Sequence, residues 1–147
     1  MIQRIQSIFL LLASVSAFAL FAIPFGTTPE PVAESEIYTD GVYNIQDSRS
    51  LLTLFCIAGA LALVSIFMFK NRKTQLIFTR LAMVANIVGF ILAIVFYYNN
   101  AAEMQGIDQQ ENYLGFGLPL IFLLFAILAQ RAITKDDNLV KSSDRLR

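Results

Sequence analysis

The segment Leu51-Leu-Thr-Leu-Phe-Cys-Ile-Ala-Gly-Ala-Leu-Ala-Leu-Val-Ser-Ile-Phe-Met-Phe69 decides the fold class of this chain. It carries no charge and presents no polar face. A water-soluble helix of this length needs a polar outer face, so a soluble bundle is disfavoured. A backbone that crosses lipid must satisfy its own hydrogen bonds, and a helix does so within one segment. We therefore interpret the segment as a membrane-spanning helix.

Three further segments have a similar length and apolar character, so that the chain carries four in all: Ile5 to Ile23, Ser50 to Phe69, Leu81 to Asn100 and Asn112 to Gln130. At 1.5 Å per residue, a segment of about 20 residues reaches about 30 Å, the thickness of a bilayer core. The sequence predicts an all-α fold, a four-helix transmembrane bundle that forms one integral membrane domain over residues 1–147. Its predicted helices are about 5–24, 50–69, 79–98 and 113–131, followed by a flexible cytoplasmic tail over 132–147.

The composition excludes several classes of protein. Hydrophobic residues make up 56% and charged residues 15%, against about 25% charged residues in soluble domains. The net charge of zero disfavours a nucleic-acid partner. Cys56 is the only cysteine and there is no histidine, so disulfide, haem and zinc chemistry lack their usual residues. The acidic first loop has no EF-hand spacing, and we expect no metal and no cofactor.

Basic and acidic residues lie on opposite sides of the predicted spans. Ten of the 11 Lys and Arg residues precede the first span, join the second to the third or follow the fourth, whereas Arg49 lies on the other side. Eight of the 11 Asp and Glu residues lie on the side of Arg49. Because cytoplasmic loops are enriched in Lys and Arg, we predict that both termini are cytoplasmic.

The first span allows a second interpretation. Arg4, the apolar run that follows and the small residues Ser16-Ala-Phe-Ala19 have the features of a cleaved signal peptide. The core of a signal peptide is about 7–15 residues long, however, and this apolar run continues to Ile23. The length favours an uncleaved helix.

The first loop between spans contains a turn signal. Asp40-Gly41 lies between β-prone residues, which is a strong pattern for a two-residue β-hairpin turn. Such a turn would place Tyr38 opposite Tyr43 as a cross-strand aromatic pair. The sequence therefore predicts a short β-hairpin in this loop, and an ordinary irregular loop is the alternative.

The cores of the four spans contain no charged residue. Intramembrane charges mark ion paths, proton relays and substrate sites, and the intramembrane serines have no histidine to activate them. We therefore expect no catalytic residue and no enzyme activity. The third span instead offers a packing face, because small residues recur every four positions and an amide lies beside them: Ala85, Asn86, Gly89 and Ala93.

The predicted cytoplasmic face carries exposed basic residues that could contact anionic headgroups or a partner: Lys70, Arg72, Lys73, Arg145 and Arg147. An alternative is that these charges only set the orientation.

The chain resembles a family of uncharacterised small four-helix membrane proteins of Bacteroidota-type bacteria. The resemblance rests on Met1-Ile-Gln-Arg-Ile-Gln6, Phe69-Lys-Asn-Arg-Lys-Thr-Gln75, Arg131-Ala-Ile-Thr-Lys-Asp136, Leu139-Val-Lys-Ser142 and Asp144-Arg-Leu-Arg147. It implies a multi-pass protein of the bacterial inner membrane without an assigned activity, cofactor or catalytic residue. All of these stretches lie on the predicted cytoplasmic face, which favours a partner or membrane-surface role there.

Two function classes remain open. The first is a structural, assembly or partner-binding subunit, which fits the absence of reactive groups. The second is a small oligomeric channel or transporter with Asn86 and the intramembrane serines along a pore. The expected partners are the lipid bilayer and either another membrane protein or further copies of this chain.

Overall fold

The computed structural model describes residues 2–28, 31, 37–100 and 114–144, and four helices account for most of this described part. Helix α1 spans Ile2–Ala19, α2 Arg49–Phe67, α3 Arg72–Asn100 and α4 Leu114–Asp144. Two short strands, β1 (Gly26–Thr27) and β2 (Val42–Tyr43), and a 3₁₀ helix over Ile45–Asp47 lie between α1 and α2. The prediction of a mostly helical fold with four helices is confirmed.

Buried residues recur with the same spacing on all four helices, separated alternately by four and three positions. They are Gln6, Leu10, Ala13 and Ala17 on α1, followed by Leu20 just after its end; Leu51, Phe55, Ala58, Ala62 and Ser65 on α2; Gln75, Thr79, Ala82, Asn86, Gly89 and Ala93 on α3; and Gly115, Pro119, Phe122, Ala126, Ala129 and Ile133 on α4. A repeat of 3.5 residues places one seam of each helix against its neighbours. The seam therefore explains why these helices form a bundle.

The helices pack in a ring in which α1 and α3 each lie between α2 and α4. Gln6 Nε2 donates a hydrogen bond to the carbonyl oxygen of Ala132, 3.3 Å away. Ser65 Oγ lies 2.9 Å from Thr79 Oγ1, where α2 ends and α3 begins. Such pairs join the beginning of one helix to the later part of the next, so neighbouring helices are antiparallel.

Two helices are longer than the sequence predicts. Asn71 Oδ1 accepts a hydrogen bond from the Thr74 N–H, which caps α3 and lets it begin at Arg72 instead of residue 79. The prediction of a flexible tail over 132–147 is wrong for its described part, because α4 continues to Asp144. Ile133 is fully buried and continues the seam of α4, so this part of the helix is held by packing.

Helix α1 is shorter than predicted, since it ends at Ala19 instead of residue 24. The N–H groups of Phe21 and Ala22 bond to the carbonyls of Phe18 and Ala19, and these tight turns redirect the chain. By length and composition, three described helices could cross a membrane: Arg49–Phe67, Arg72–Asn100 and Leu114–Ser142. The described apolar part of α1, Ile5–Ala19, is shorter than these three. A fourth crossing and the orientation stay predictions.

A two-stranded antiparallel hairpin is present, but its strands are not the predicted ones. Gly26 pairs with Tyr43 and Thr27 pairs with Val42, so β2 bonds to the residues after α1. The turn at Asp40-Gly41 lies one position earlier than predicted, because the Gly41 N–H bonds to the Tyr38 carbonyl oxygen. Gly41 has a positive φ of 78°, which glycine adopts without strain. The rings of Tyr38 and Tyr43 do meet, at 6.0 Å.

Candidate functional site

The bundle has two chemically different ends. The loop end carries residues 20–28 and 37–47. The basic end carries the turn between α2 and α3, together with residues 130–144 of α4. The ion pair between Arg72 Nε and Asp136 Oδ2, 2.9 Å apart, joins α3 to α4 there.

At the loop end, aromatic side chains from the loop enter the bundle. Phe25 and Tyr43 are both fully buried, and their ring centroids lie 5.1 Å apart. The ring of Phe25 also lies 5.1 Å from Phe116 on α4 and 6.0 Å from Phe55 on α2. Aromatic pairs at such distances contribute beyond their buried area. The loop is therefore part of the core, and we call these four residues the aromatic plug.

Tyr43 also joins the loop to α3. Its hydroxyl donates a hydrogen bond to the carbonyl oxygen of Ala93, 3.0 Å away. Burial, with a smaller contribution from nearby Tyr38 and Asp47, raises the pKa of the Tyr43 hydroxyl above its ordinary value. The hydroxyl consequently stays neutral and remains a donor throughout the physiological pH range.

Near the basic end, a group of polar side chains lies inside the bundle. Ser65, Gln75 and Thr79 have exposed fractions of 0%, 1% and 0%. The hydroxyls of Ser65 and Thr79 both lie within hydrogen-bond distance of the carbonyl oxygen of Gln75, at 3.2 and 2.9 Å. These bonds join the end of α2 to the beginning of α3. We call the three residues the polar group.

The side-chain amide of Gln75, unlike its backbone carbonyl group, has no hydrogen-bond partner. Its Nε2 and Oε1 atoms are both buried without a hydrogen bond, and the same is true of Oδ1 of Asn86. Gln75 and Asn86 lie on one face of α3, 11 positions or about 16 Å apart. A buried polar atom without a partner is destabilising by about 1–3 kcal/mol. The interior therefore contains unused hydrogen-bonding capacity.

Replacing Gln75 by leucine is expected to raise the free energy of unfolding by about 1–2 kcal/mol, because the variant removes two buried atoms without partners. Thermal unfolding of the detergent-solubilised protein, followed with a thiol-reactive dye on Cys56, measures this. Gln6→Leu is the matched control, since Gln6 is equally buried but its amide is bonded, and this variant should give no gain. Destabilisation by Gln75→Leu would contradict the prediction and would indicate that a bound molecule satisfies the amide.

The four predicted packing residues of α3 lie in different environments. Asn86, Gly89 and Ala93 are buried on the seam, whereas Ala85 lies beside it and is half-buried. Asn86 Nδ2 donates a hydrogen bond to the carbonyl oxygen of Pro119 on α4, 3.1 Å away. The backbone of Gly89 approaches the Phe55 ring of α2. The seam position next to Asn86 toward the basic end is taken by Ala82, which the four-residue spacing missed.

The predicted surface residues also differ from one another. Lys70 and Lys73 are exposed, and Arg72 is half-buried in its ion pair with Asp136. Arg145 and Arg147 lie outside the described residues. Arg72 therefore joins two helices, and among the described residues of this set Lys70 and Lys73 are exposed.

A groove of about 500 Å³ runs along α4 at the basic end and is lined by Gln130, Arg131, Thr134, Lys135, Asn138 and Leu139. Arg131 and Lys135 are exposed, and the ion pairs found in the described part of the chain involve neither of them. The nearby carboxylates of Asp136 and Asp137 are paired with Arg72 and Lys141. The groove is thus positively charged.

Sequence reasoning missed Gln75 and the α4 groove. The signal for Gln75 is its place on the face shared with Thr79 and Asn86. The groove was missed because residues 132–147 were interpreted as a flexible tail. Within the described residues, no three His, Cys, Asp or Glu side chains form a cluster that could hold a metal ion. What the described polar side chains of the interior offer a ligand is therefore hydrogen bonding through amides and hydroxyls.

Comparison with curated proteins and with solved structures gave no match. A family model described as a domain of unknown function (DUF4293) matches residues 2–146. The match covers all four helices and both ends of the bundle. The chain therefore belongs to the family of the domain of unknown function DUF4293.

Proposed function

We propose that this chain is an integral membrane protein that serves as a structural, assembly or partner-binding subunit. The observation that carries the proposal is the distribution of residues between the surface and the interior. Side chains such as Val84 and Ile91 on α3 and Leu120 and Leu124 on α4 are more than half exposed. The buried seam of α3 contains alanine, glycine, threonine, asparagine and glutamine. Lipid is the solvent in which such a surface is stable.

The interior supports a role that is not catalytic. The buried polar side chains among the described residues are amides and hydroxyls. Ser14 Oγ donates to the Gly59 carbonyl oxygen at 3.0 Å, and Ser16 Oγ donates to the Ala13 carbonyl oxygen at 2.7 Å. These hydroxyls join or bend helices in the way that is normal for membrane bundles. We place the protein in the bacterial inner membrane with both termini in the cytoplasm, on the basis of its charge distribution.

Alkaline extraction of membranes tests the first part of the proposal. The full chain should remain in the membrane pellet after carbonate treatment and dissolve only with detergent. An amine-reactive reagent that does not cross membranes should not label Lys70 or Lys73 in intact cells. Release by carbonate would refute membrane integration, and labelling of these lysines in intact cells would refute the orientation alone.

Purification in a mild detergent tests the role as a subunit. We expect a second membrane protein to copurify at a stoichiometric ratio with the full chain. Deletion of residues 138–147 should abolish the association and leave membrane integration unchanged. This deletion is preferable to a longer one, because it keeps Asp136 and its ion pair with Arg72. Isolation of the chain by itself under these conditions would count against the proposal.

The alternative is a small oligomeric channel or transporter. It is favoured by the unpartnered amide atoms of Gln75 and Asn86 on one face of α3, which could contact a hydrated solute. Liposomes that contain only this protein would then show ion or solute flux, and Gln75→Leu would abolish it. Absence of flux would leave the subunit role as the better description.

A further inference from the structure

We propose that the groove on α4 at the basic end binds the headgroup of an anionic phospholipid. This inference rests on the proposed membrane integration. It assigns a class of ligand to the groove, for which neither the family match nor the proposed subunit role gives one.

The position of the groove along α4 carries the first step. Helix α4 has 31 residues, which extend over about 46 Å, whereas the hydrocarbon core of a bilayer is about 30 Å thick. Its uninterrupted apolar run ends at Ala129, and Gln130 is the next residue. Gln130 lies about 24 Å from Leu114 along the axis. The groove therefore begins near the end of the hydrocarbon and extends into the headgroup region.

The charges around the groove carry the second step. Arg131 and Lys135 lie four positions apart, so both project from the same face of α4. The two carboxylates that the structure describes beside them are engaged with other bases, as Asp136 is with Arg72 and Asp137 with Lys141. Two exposed cations, which form no ion pair with any described residue, thus face the same volume. Their arrangement complements a phosphate group, which arginine can bind with two parallel hydrogen bonds.

The remaining groove residues fit a lipid better than a soluble anion. Asn138 and Gln130 offer amide donors for a headgroup. Leu139 is 47% exposed at the far rim of the groove. An apolar side chain beside a phosphate-binding pair suits an amphipathic ligand.

Native mass spectrometry of the detergent-solubilised full chain with added phosphatidylglycerol or phosphatidylcholine tests the proposal. We expect one phosphatidylglycerol to bind tightly and phosphatidylcholine to bind at least about tenfold more weakly. The double variant Arg131→Gln/Lys135→Gln should weaken phosphatidylglycerol binding about 10- to 30-fold, because each basic residue near an anionic surface strengthens binding about fivefold. Glutamine keeps the helix propensity of these exposed positions.

The matched control is Lys70→Gln/Lys73→Gln, which removes the same charge from exposed positions outside the groove. It should change the affinity for phosphatidylglycerol less than about threefold. Equal losses in both double variants would overturn the proposal in favour of diffuse attraction. Competition by millimolar inorganic phosphate alone would indicate a simple anion site.

Two other occupants would also overturn the lipid assignment. A groove filled by a second copy would be revealed by a dimer that becomes monomeric in Arg131→Gln/Lys135→Gln without any lipid dependence. A groove filled by an acidic protein would be revealed by a stoichiometric partner that the same variant loses. Carbonate extraction distinguishes failure of the proposed membrane integration from failure of the proposed lipid site. Release of the protein from the membrane would refute membrane integration. A protein that stays in the membrane but shows no preference for phosphatidylglycerol would refute only the lipid site.

Discussion

Gly115→Ala is expected to lower the free energy of unfolding by about 3 kcal/mol and to displace the loop from α4. A Cβ atom at this position would overlap the carbonyl oxygen of Pro24 and would lie 2.7 Å from the Cα atom of Phe25. Both are backbone atoms, so a change of side-chain rotamer cannot relieve the clash. Overpacking of a tight site is destabilising by about 1–3 kcal/mol, and this contact is at the severe end of that range.

Gly117→Ala is the control for this prediction. It lies two residues further along α4, and an added Cβ atom would meet nothing within 4 Å. Alanine is the better helix former, so this variant should be more stable by about 0.5–1 kcal/mol. Thermal unfolding in detergent, followed by circular dichroism and by dye labelling of Cys56, measures both variants. Equal stability of the two alanine variants would show that the loop does not approach α4 as described.

The second large effect is expected for Tyr43→Ala, which should be destabilising by about 3–5 kcal/mol. Truncation of a fully buried aromatic side chain has this magnitude, because it removes buried area and leaves a cavity. At Tyr43 it also removes the hydrogen bond to Ala93 and the ring contacts with Phe25 and Phe116. The remaining plug would lose its link to α3, and we expect the loop to become sensitive to proteases.

Two further variants divide this effect into parts. Tyr43→Phe keeps the ring and removes the hydroxyl, so it should be destabilising by about 1 kcal/mol. Tyr98→Ala removes a tyrosine that is 71% exposed and should change stability by less than about 0.5 kcal/mol. A loss for Tyr43→Phe as large as that for Tyr43→Ala would assign the effect to the hydrogen bond. A loss below about 1 kcal/mol for Tyr43→Ala would contradict its place in the core.

The two ends of the bundle are stabilised by different kinds of contact. At the loop end, aromatic side chains and one close backbone approach join the loop to α2, α3 and α4. At the basic end, buried Ile133 packs on the seam, and polar connections join the helices, among them the Arg72–Asp136 ion pair, the bond from Gln6 to Ala132 and the polar group. The unpartnered amide of Gln75 and the exposed cations Arg131 and Lys135 are both on the basic side of the bundle, and for this reason our functional proposals concern that side.

The number of helices and their approximate positions could be predicted from residue order alone. Hydropathy and helix hydrogen bonding act within about 20 residues, so segments such as Leu51 to Phe69 carry their own structural information. The boundaries were less well predicted, because helices continue through charged residues beyond the apolar segments. Helix α3 begins at Arg72 instead of residue 79, and α4 continues past residue 131 through Lys135 to Asp144. A helix that leaves a membrane need not end at its surface.

The hairpin shows where local signals are insufficient. The turn at Asp40-Gly41 was recognised to within one residue from its composition. The partner of the following strand was not, since β2 bonds to Gly26 and Thr27 next to α1 instead of to the residues just before the turn. Strand pairing alone contributes little stability to a strand of two residues. The partner of β2 is therefore decided by where the side chains of Phe25 and Tyr43 can be buried.

The sequence by itself determined the apolar helices, the segregation of charge along the chain and the absence of histidine. Only the tertiary structure decided that Gln75 is buried without a partner, that Gly115 lies against Pro24 and that Arg131 and Lys135 face a groove. The physical reason is the range of the forces involved. Helix formation and hydropathy act between neighbours along the chain, whereas burial and pairing depend on contacts such as that between Gln6 and Ala132, which are 126 positions apart.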